Sequence, residues 1–339
     1  MPSTATTAYA LPRWNGWASP PPDAPEQPTV PTFEVFAAEW VARQKELAHG
    51  GLLRISSLQR YQSALRAHLL PFFAARPLDS ITRAQCDDFR MAAVGSGRLN
   101  PGTVNSIMQV LRLVLRAACR ERLIDREPLS GMRPLRVSPR LVQPYDPSEI
   151  RSLIDAAQPA DRLVIGLAAL AGLRQGEAFA IRPSDIDLPG RRLQVARSLQ
   201  RHHPGFSTTQ RLGAPKTALG YRGVPLQAEL RSLIDTHLAK HWAPNRHDLL
   251  CPDPRGEPRA PIVFHREAFT PAIRGAGLRR MRYHDLRRSF VSQCVAAGIP
   301  VAQTAAWLGH TITMTEHYYQ VEKAQLITAL GLLDQCADQ

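Results

Sequence analysis

Tyr283-His284-Asp285-Leu286-Arg287-Arg288-Ser289-Phe290 is the stretch on which the fold and chemistry of this chain turn. Asp285 can begin a helix whose buried face is Leu286, Phe290, Val291 and Cys294. The i, i+3 spacing then sets His284 and Arg287 side by side at its N-terminal end. A helix start already favours an anion, and an arginine fork can hold two non-bridging phosphate oxygens while an adjacent imidazole donates or accepts a proton. Standing alone, the same residues would be an ordinary surface helix start. The rest of the chain decides between the two.

Upstream, Ala171-Gly172-Leu173-Arg174-Gln175-Gly176-Glu177 sets Arg174 between two glycines after an apolar helix ending near Ala171. The glycines permit a tight turn, so Arg174 can project from a helix–helix junction with Glu177 placed to orient it. By itself, an arginine closing a helix C-terminus is the plainer account. Downstream, Leu308-Gly309-His310 ends a segment that starts at Val301, with glycine as the helix stop and the histidine just beyond it. Lys216 lies in Gly-Ala-Pro-Lys-Thr, in the turn region of an expected hairpin, and is the only lysine between residues 46 and 239. An ammonium there can protonate a leaving oxygen or contact a phosphate as a point charge, and spacing leaves both open. Thr315-Glu316-His317-Tyr318-Tyr319-Gln320 offers two candidate nucleophiles, Tyr318 and Tyr319. A neutral phenol with a pKa near ~10 attacks poorly and needs a neighbouring base or a cationic cluster that stabilises phenolate.

The bulk properties agree with a polyanionic partner. The chain has 339 residues, 44% hydrophobic and 21% charged, within the range of soluble globular proteins and long enough for two cores. Its net charge of +13 fits DNA, RNA or an anionic membrane. Of 42 basic residues, only positions 45, 216, 240 and 323 are lysine, so a single arginine is weak evidence here and a well-placed lysine stronger. Five cysteines, far apart and never in a CxxC pair, argue against a disulfide framework or a zinc ribbon. No apolar run approaches the ~20 residues that span a bilayer, and the N-terminus lacks the order of a secretory signal, so a cytoplasmic protein is expected.

The expected organisation is a Pro-rich arm over residues 1–30, a helical domain over 31–128, a linker over 129–145 and a larger domain over 146–339. Phe33, Phe36, Ala37 and Trp40 recur at helical spacing, as do Leu58, Tyr61, Leu65 and Leu69. A further helix starts with Asn100 as cap and Pro101 in its first turn, and places Val104, Ile107, Leu111, Val114, Leu115 and Ala118 on one face. Asp146-Pro147-Ser148-Glu149 offers a cap, a first-turn proline and a capping-box glutamate. Between about 190 and 226 the pattern becomes strand-like, with Leu193 and Val195 before a polar loop and Tyr221 to Leu226 after it. The fold class is therefore mostly α with a small antiparallel β-sheet.

In order and spacing, Arg174, Lys216, His284, Arg287, His310 and Tyr319 resemble the catalytic set of the tyrosine recombinases, the phage integrase and Xer-type enzymes. The matching motifs are AGLRQGE (171–177), PKT (215–217), HDLRRSF (284–290) and LGHTITMTEHYY (308–319). The family nucleophile falls nine residues beyond the LGH histidine, which selects Tyr319 over Tyr318. Residues 32–130 also resemble the helical, SAM-like core-binding domain that precedes the catalytic domain in that family. Two departures are Arg126-Glu127-Pro128, where relatives often carry Asn-Pro, and an extension of the hairpin by Arg201 to Ser207.

The resemblance implies a site-specific DNA recombinase of a phage or mobile element, acting as an integrase or excisionase. Its two domains would close around duplex DNA, and Tyr319 would form a 3′-phosphotyrosyl link and release a 5′-hydroxyl. Arg174 and Arg287 would neutralise charge growing on phosphorus, His284 and His310 would bond the same oxygens and help move the tyrosine proton, and Lys216 would protonate the leaving oxygen, with Glu177 in support. Neither a metal nor another cofactor is implied. Two rounds of exchange through a Holliday junction would require a homotetramer, a dimer per site, joined by a tail bearing Leu326, Ala329, Leu330 and Leu333. Accessory directionality or DNA-bending proteins would act on it. Two other functions fit parts of the pattern: DNA relaxation of the type IB topoisomerase kind, and non-catalytic DNA binding with residues 301–319 as a helix-turn-helix.

Overall fold

The computed structural model describes residues 30–138, 143–200, 211–215, 217–316 and 318–319. The Pro-rich arm, the hairpin extension, Lys216 and the apolar tail positions from Leu326 onward lie outside the described residues. The chain divides into two compact units between Val137 and Ser138.

The first unit is helical: α1 (Phe33–His49), α2 (Ile55–Ala64), α3 (Leu70–Phe73), α4 (Arg83–Gly95) and α5 (Pro101–Arg120). A single π-turn over Leu65–Leu69 carries α2 into α3. Helix α5 starts as its sequence requires, with the Asn100 side chain accepting from Thr103 N at 2.9 Å and proline in the first turn. Its apolar face, including Val104, Leu111, Val114 and Ala118, is wholly buried against Phe33, Phe36, Leu69 and Phe73. Helix α4 was not anticipated, although Thr82 and Gln85 form the capping box that announces it.

The stretch 129–145, expected as a linker, is packed at both of its ends. Leu129 and Met132 are buried in the first core, where Arg112 donates to both of their carbonyls, and Tyr145 is buried in the second.

The second unit begins with α6 (Pro147–Ala156), capped by Asp146 and Glu149 as the sequence indicates, followed by α7 (Arg162–Ala169) and the short α8 (Gln175–Ala178). Strands β1 (Ile186–Asp187), β2 (Arg192–Val195), β3 (Ser198–Gln200), β4 (Arg211–Gly213) and β5 (Arg222–Pro225) form two small antiparallel sheets. One has the order β1-β2-β5 and pairs Leu193 with Val224 and Val195 with Arg222; the other pairs β3 with β4. The chain continues through α9 (Ala228–Lys240), α10 (Pro261–Phe264), α11 (Thr270–Gly275), α12 (Leu286–Ala296) and α13 (Val301–Leu308).

Apolar α7 is buried from Leu163 to Ala169, which makes it the axis on which the later helices are placed. The buried Tyr283 hydroxyl donates to Val164 O at 2.5 Å and fixes the entry into α12 against α7. Among the described residues, no helix is long and apolar enough to cross a membrane.

Removing the α5 ridge should be costly because Leu111 is fully buried and has no solvent into which its site can collapse. Leu111→Ala is expected to destabilise the first unit by about 2–5 kcal/mol, read as a lower urea midpoint; an unchanged midpoint would mean that α5 does not hold this core.

Candidate active site

Three segments distant in sequence meet where α7 ends, α12 begins and α13 ends. Helix α7 stops at Gly172, which has φ +63°, and a Cβ there would lie 2.6 Å from Phe290 Cδ1 and 2.8 Å from Leu308 Cδ2. Only glycine allows α12 and α13 to come this close to the turn. The following Arg174 takes the N-terminal position of α8, and its backbone N–H donates to Glu177 Oε2 at 2.9 Å. Helix α13 stops at Gly309 with φ +61°, where a Cβ would lie 2.5 Å from Leu219 O. Both glycine stops expected from the sequence are present.

The C-terminal end of α13 is a ladder of carbonyls, each of which accepts from a different arginine. Arg222 Nε donates to Trp307 O, Arg287 Nη2 to Leu308 O, and Arg174 Nη2 to Gly309 O at 3.2 Å. These are carbonyls a helix leaves unpaired, at the end of its macrodipole that favours cations. Arg287 is 3% exposed and also donates through Nη1 to Gly172 O, so both helix stops grip the same guanidinium.

Glu177 supplies the only carboxylate hydrogen-bonded to these arginines among the described residues. Oε1 accepts from Arg174 Nη1 at 2.7 Å and Arg222 Nη1 at 3.1 Å, and Oε2 accepts from Arg222 Nη2 at 2.8 Å. Burial pushes its pKa up, but the Arg222 hydrogen bonds and charge, with Arg174 beside them, bring it down to about 2. Three guanidiniums against one carboxylate leave two positive charges at the site.

His310 is half-buried just past the glycine stop, and its Nε2 accepts from Arg287 Nη2 at 2.9 Å. Burial and the charges of Arg287, Arg174 and Arg222 depress its pKa to about 3, so the ring is neutral at physiological pH. With Nε2 accepting, the proton belongs on Nδ1, and that atom is buried without a partner, as is Arg287 Nε. His284 is exposed and lines the same small cavity as Arg287, Arg288, His310 and Tyr318. Desolvation by the surrounding chain, then the Arg287 charge, lowers its pKa from the ordinary imidazole value.

The two tyrosines are placed differently. The Tyr318 ring stacks on His310, with centroids 6.1 Å apart and planes inclined by 14°, and Arg288 lies 5.2 Å over it. Tyr319 instead donates to Ile299 O at 2.7 Å and accepts from the Thr304 hydroxyl at 2.7 Å, packed beside Cys294 and Ile299. Burial raises its pKa, opposed by the Thr304 hydrogen bond. The structure thus brings Arg174, Glu177, His284, Arg287 and His310 together, places Tyr318 among them and docks the Tyr319 hydroxyl elsewhere. Arg222 is the member of this cluster that motif spacing missed. Its one signal was its position on β5, two residues from the inward-facing Val224.

Comparison with known proteins matches this architecture. The Phage integrase family matches residues 145–325, and the phage integrase N-terminal SAM-like domain matches 32–93. The prophage phiRv2 integrase of Mycobacterium tuberculosis is 28% identical over 307 residues, covering 89% of this chain and 77% of that protein. The ICEBs1 integrase of Bacillus subtilis is 24% identical, covering 80% and 76%. The Tn1549 transposon integrase, solved in complex with circular intermediate DNA, shares the fold with a TM-score of 0.68 at 19% identity over 86% of this chain and 99% of that one. A lambda integrase tetramer bound to a Holliday junction gives 0.62 at 18% identity over 84% and 77%. With more than half of its length matched by the family, the chain belongs to the phage integrase family, the tyrosine-type site-specific recombinases.

Proposed function

We propose that this recombinase cuts and rejoins double-stranded DNA for a phage or other mobile element, with Tyr319 as nucleophile. The observation that carries it is a site holding two uncompensated positive charges and two buried, unpartnered donors, Arg287 Nε and His310 Nδ1. Such donors are costly in a resting protein and are satisfied by phosphate oxygens.

In the proposed reaction the Tyr319 oxygen bonds to the scissile phosphorus and the bond from phosphorus to the 5′-oxygen breaks. The phenolic proton passes to His284 or His310. Lys216 protonates the departing 5′-oxygen, leaving a 3′-phosphotyrosyl link and a 5′-hydroxyl. Arg174 and Arg287 hold the equatorial oxygens, where charge grows in the transition state, and a preformed donor of this kind contributes about 10²–10³ in rate. Attack by a 5′-hydroxyl from a second duplex reverses these steps, so the phosphodiester energy is conserved and no nucleotide is consumed.

Reaching that state requires the 318–319 segment to move. Tyr319 must leave Thr304 and Ile299, and the Tyr318 ring must uncover His310. The first unit serves as the core-binding domain, and four copies act in the cytoplasm on paired sites, joined by the tail after Tyr319. The Tn1549 and lambda integrase complexes with DNA support the choice of partner.

A second candidate follows from the cavity itself, since Tyr318 already lies on His310. Trapping on a nicked suicide duplex separates the two. Tyr319→Phe is expected to bind DNA and yield no covalent adduct, while Tyr318→Phe still yields one; the reverse pattern makes Tyr318 the nucleophile. Deleting residues 324–339 should leave binding of a single site intact and abolish cooperative assembly of paired sites on native gels. Unchanged synapsis would sink the tail's role.

A further inference from the structure

Arg222 is 7% exposed, and its guanidinium reaches two parts of the site, Glu177 and the end of α13. Its guanidinium faces both oxygens of Glu177, its Nε donates to Trp307 O, and its Nη1 also reaches Gly220 O at 3.1 Å. It also lies beneath the α13 stop, because a Cβ on Gly309 would be 3.2 Å from Arg222 Cδ and 3.3 Å from Nη1. It therefore touches the carboxylate that orients Arg174 and the turn that presents Leu308 O, Gly309 O and His310. Its own donors are directed to protein acceptors, which leaves it out of direct contact with the reacting phosphate.

We propose that Arg222 is a positioning residue for strand cleavage: it holds Glu177 and the Gly309 turn in the geometry that aims Arg174, Arg287 and His310 at one phosphate. This rests on the recombinase chemistry proposed above. Two mechanisms carry the effect. The bidentate grip fixes the direction of the Glu177 carboxylate, and through it the Arg174 fork. The bond to Trp307 O fixes the height of the α13 end, and a displacement of about 1 Å in a site of this kind costs about 10²-fold in rate. Arg222, with Arg174 beside it, also keeps Glu177 ionised against the burial that favours its neutral form.

A purely structural role and a positioning role differ in how cleavage depends on pH. In the wild type Glu177 titrates at about 2 and stays ionised across the working range. In Arg222→Met the Glu177 carboxyl keeps Arg174 but loses the Arg222 hydrogen bonds and charge that most strongly oppose its burial, so its pKa rises and the variant gains an acid limb in its cleavage profile that the wild type lacks. Single-turnover adduct formation on a nicked suicide duplex, with DNA affinity and melting temperature measured on the same full-length samples, provides the test.

Arg222→Met is expected to bind DNA normally, to cleave about 10²-fold more slowly and to show the acid limb. Arg222→Lys keeps a cation without the fork, and is expected to remove the acid limb while recovering only part of the rate. Should Arg222→Met fail to fold, Arg222→Lys carries the test through its slowed cleavage at unchanged affinity. Wild-type rate in the variants overturns the proposal, as does a rate loss that is equal at every pH and not relieved by lysine. A wild-type enzyme that forms no adduct is a distinct result, and overturns the recombinase chemistry rather than the part played by Arg222.

Discussion

Three guanidinium groups cannot share one small volume without something to hold them there, and the end of α13 is what holds these. Two unit charges about 4 Å apart repel by about 4 kcal/mol at the effective dielectric of a protein surface. The repulsion among Arg174, Arg222 and Arg287 is offset by three consecutive backbone carbonyls, Trp307, Leu308 and Gly309, and by the Glu177 carboxylate. A helix end carries about half a negative charge, so carbonyls and carboxylate together fall short of three positive charges. The shortfall stores an attraction for one more anion, and a phosphodiester approaching a pentacoordinate state is an anion whose charge grows during the reaction. Burial holds His310 neutral, and the same shortfall adds to it, since a fourth cation would meet the other three.

The apolar packing beneath this cluster sets its geometry. Phe290 and Leu308 close over Gly172, so any side chain at the α7 stop would push α12 and α13 apart and withdraw both carbonyls that hold Arg287. Tyr283 fixes the entry of α12 from the opposite side through Val164 O. The charged layer is thus carried on a rigid apolar one, which lets unpartnered donors persist without the site relaxing around them.

What could be read from the sequence was what depends on near neighbours. Asn100-Pro101, Asp146 to Glu149 and Gly309 announce their helix ends through contacts within one turn, and the structure has each of them. Leu193, Val195 and Val224 announce paired strands by alternation. The carbonyl ladder left no such trace, because its acceptors are backbone atoms and its donors come from three segments up to 135 residues away. Arg222 was hidden for a second reason: with 38 of 42 basic residues being arginine, one more in a strand carries little information. Its place two residues from inward-facing Val224 and opposite buried Val195 marks it as an inward charge. Helix α4 had its capping box in plain view at Thr82 and Gln85, and its weak apolar pattern, with only Cys86 and Phe89 buried, concealed the rest.

Spacing also cannot tell which face of a turn a side chain occupies, and that matters most at the two tyrosines. Nine residues from His310 select Tyr319, yet one residue along a helix is a rotation of about 100°, enough to put Tyr318 on the imidazole while Tyr319 points to Ile299 and Thr304. The docked phenol is held by two hydrogen bonds, each contributing about 1 kcal/mol net, together with the packing of its ring. That is a modest barrier beside what one phosphate gains from two buried, unpartnered donors and two uncompensated charges. In the proposed reaction a phosphate on His310 takes the place of the Tyr318 ring that stacks there, and Tyr319 is the next residue of the same turn. In that reaction, binding of the scissile phosphate and release of Tyr319 as nucleophile are coupled through a single turn of chain, with the cations already assembled before DNA arrives.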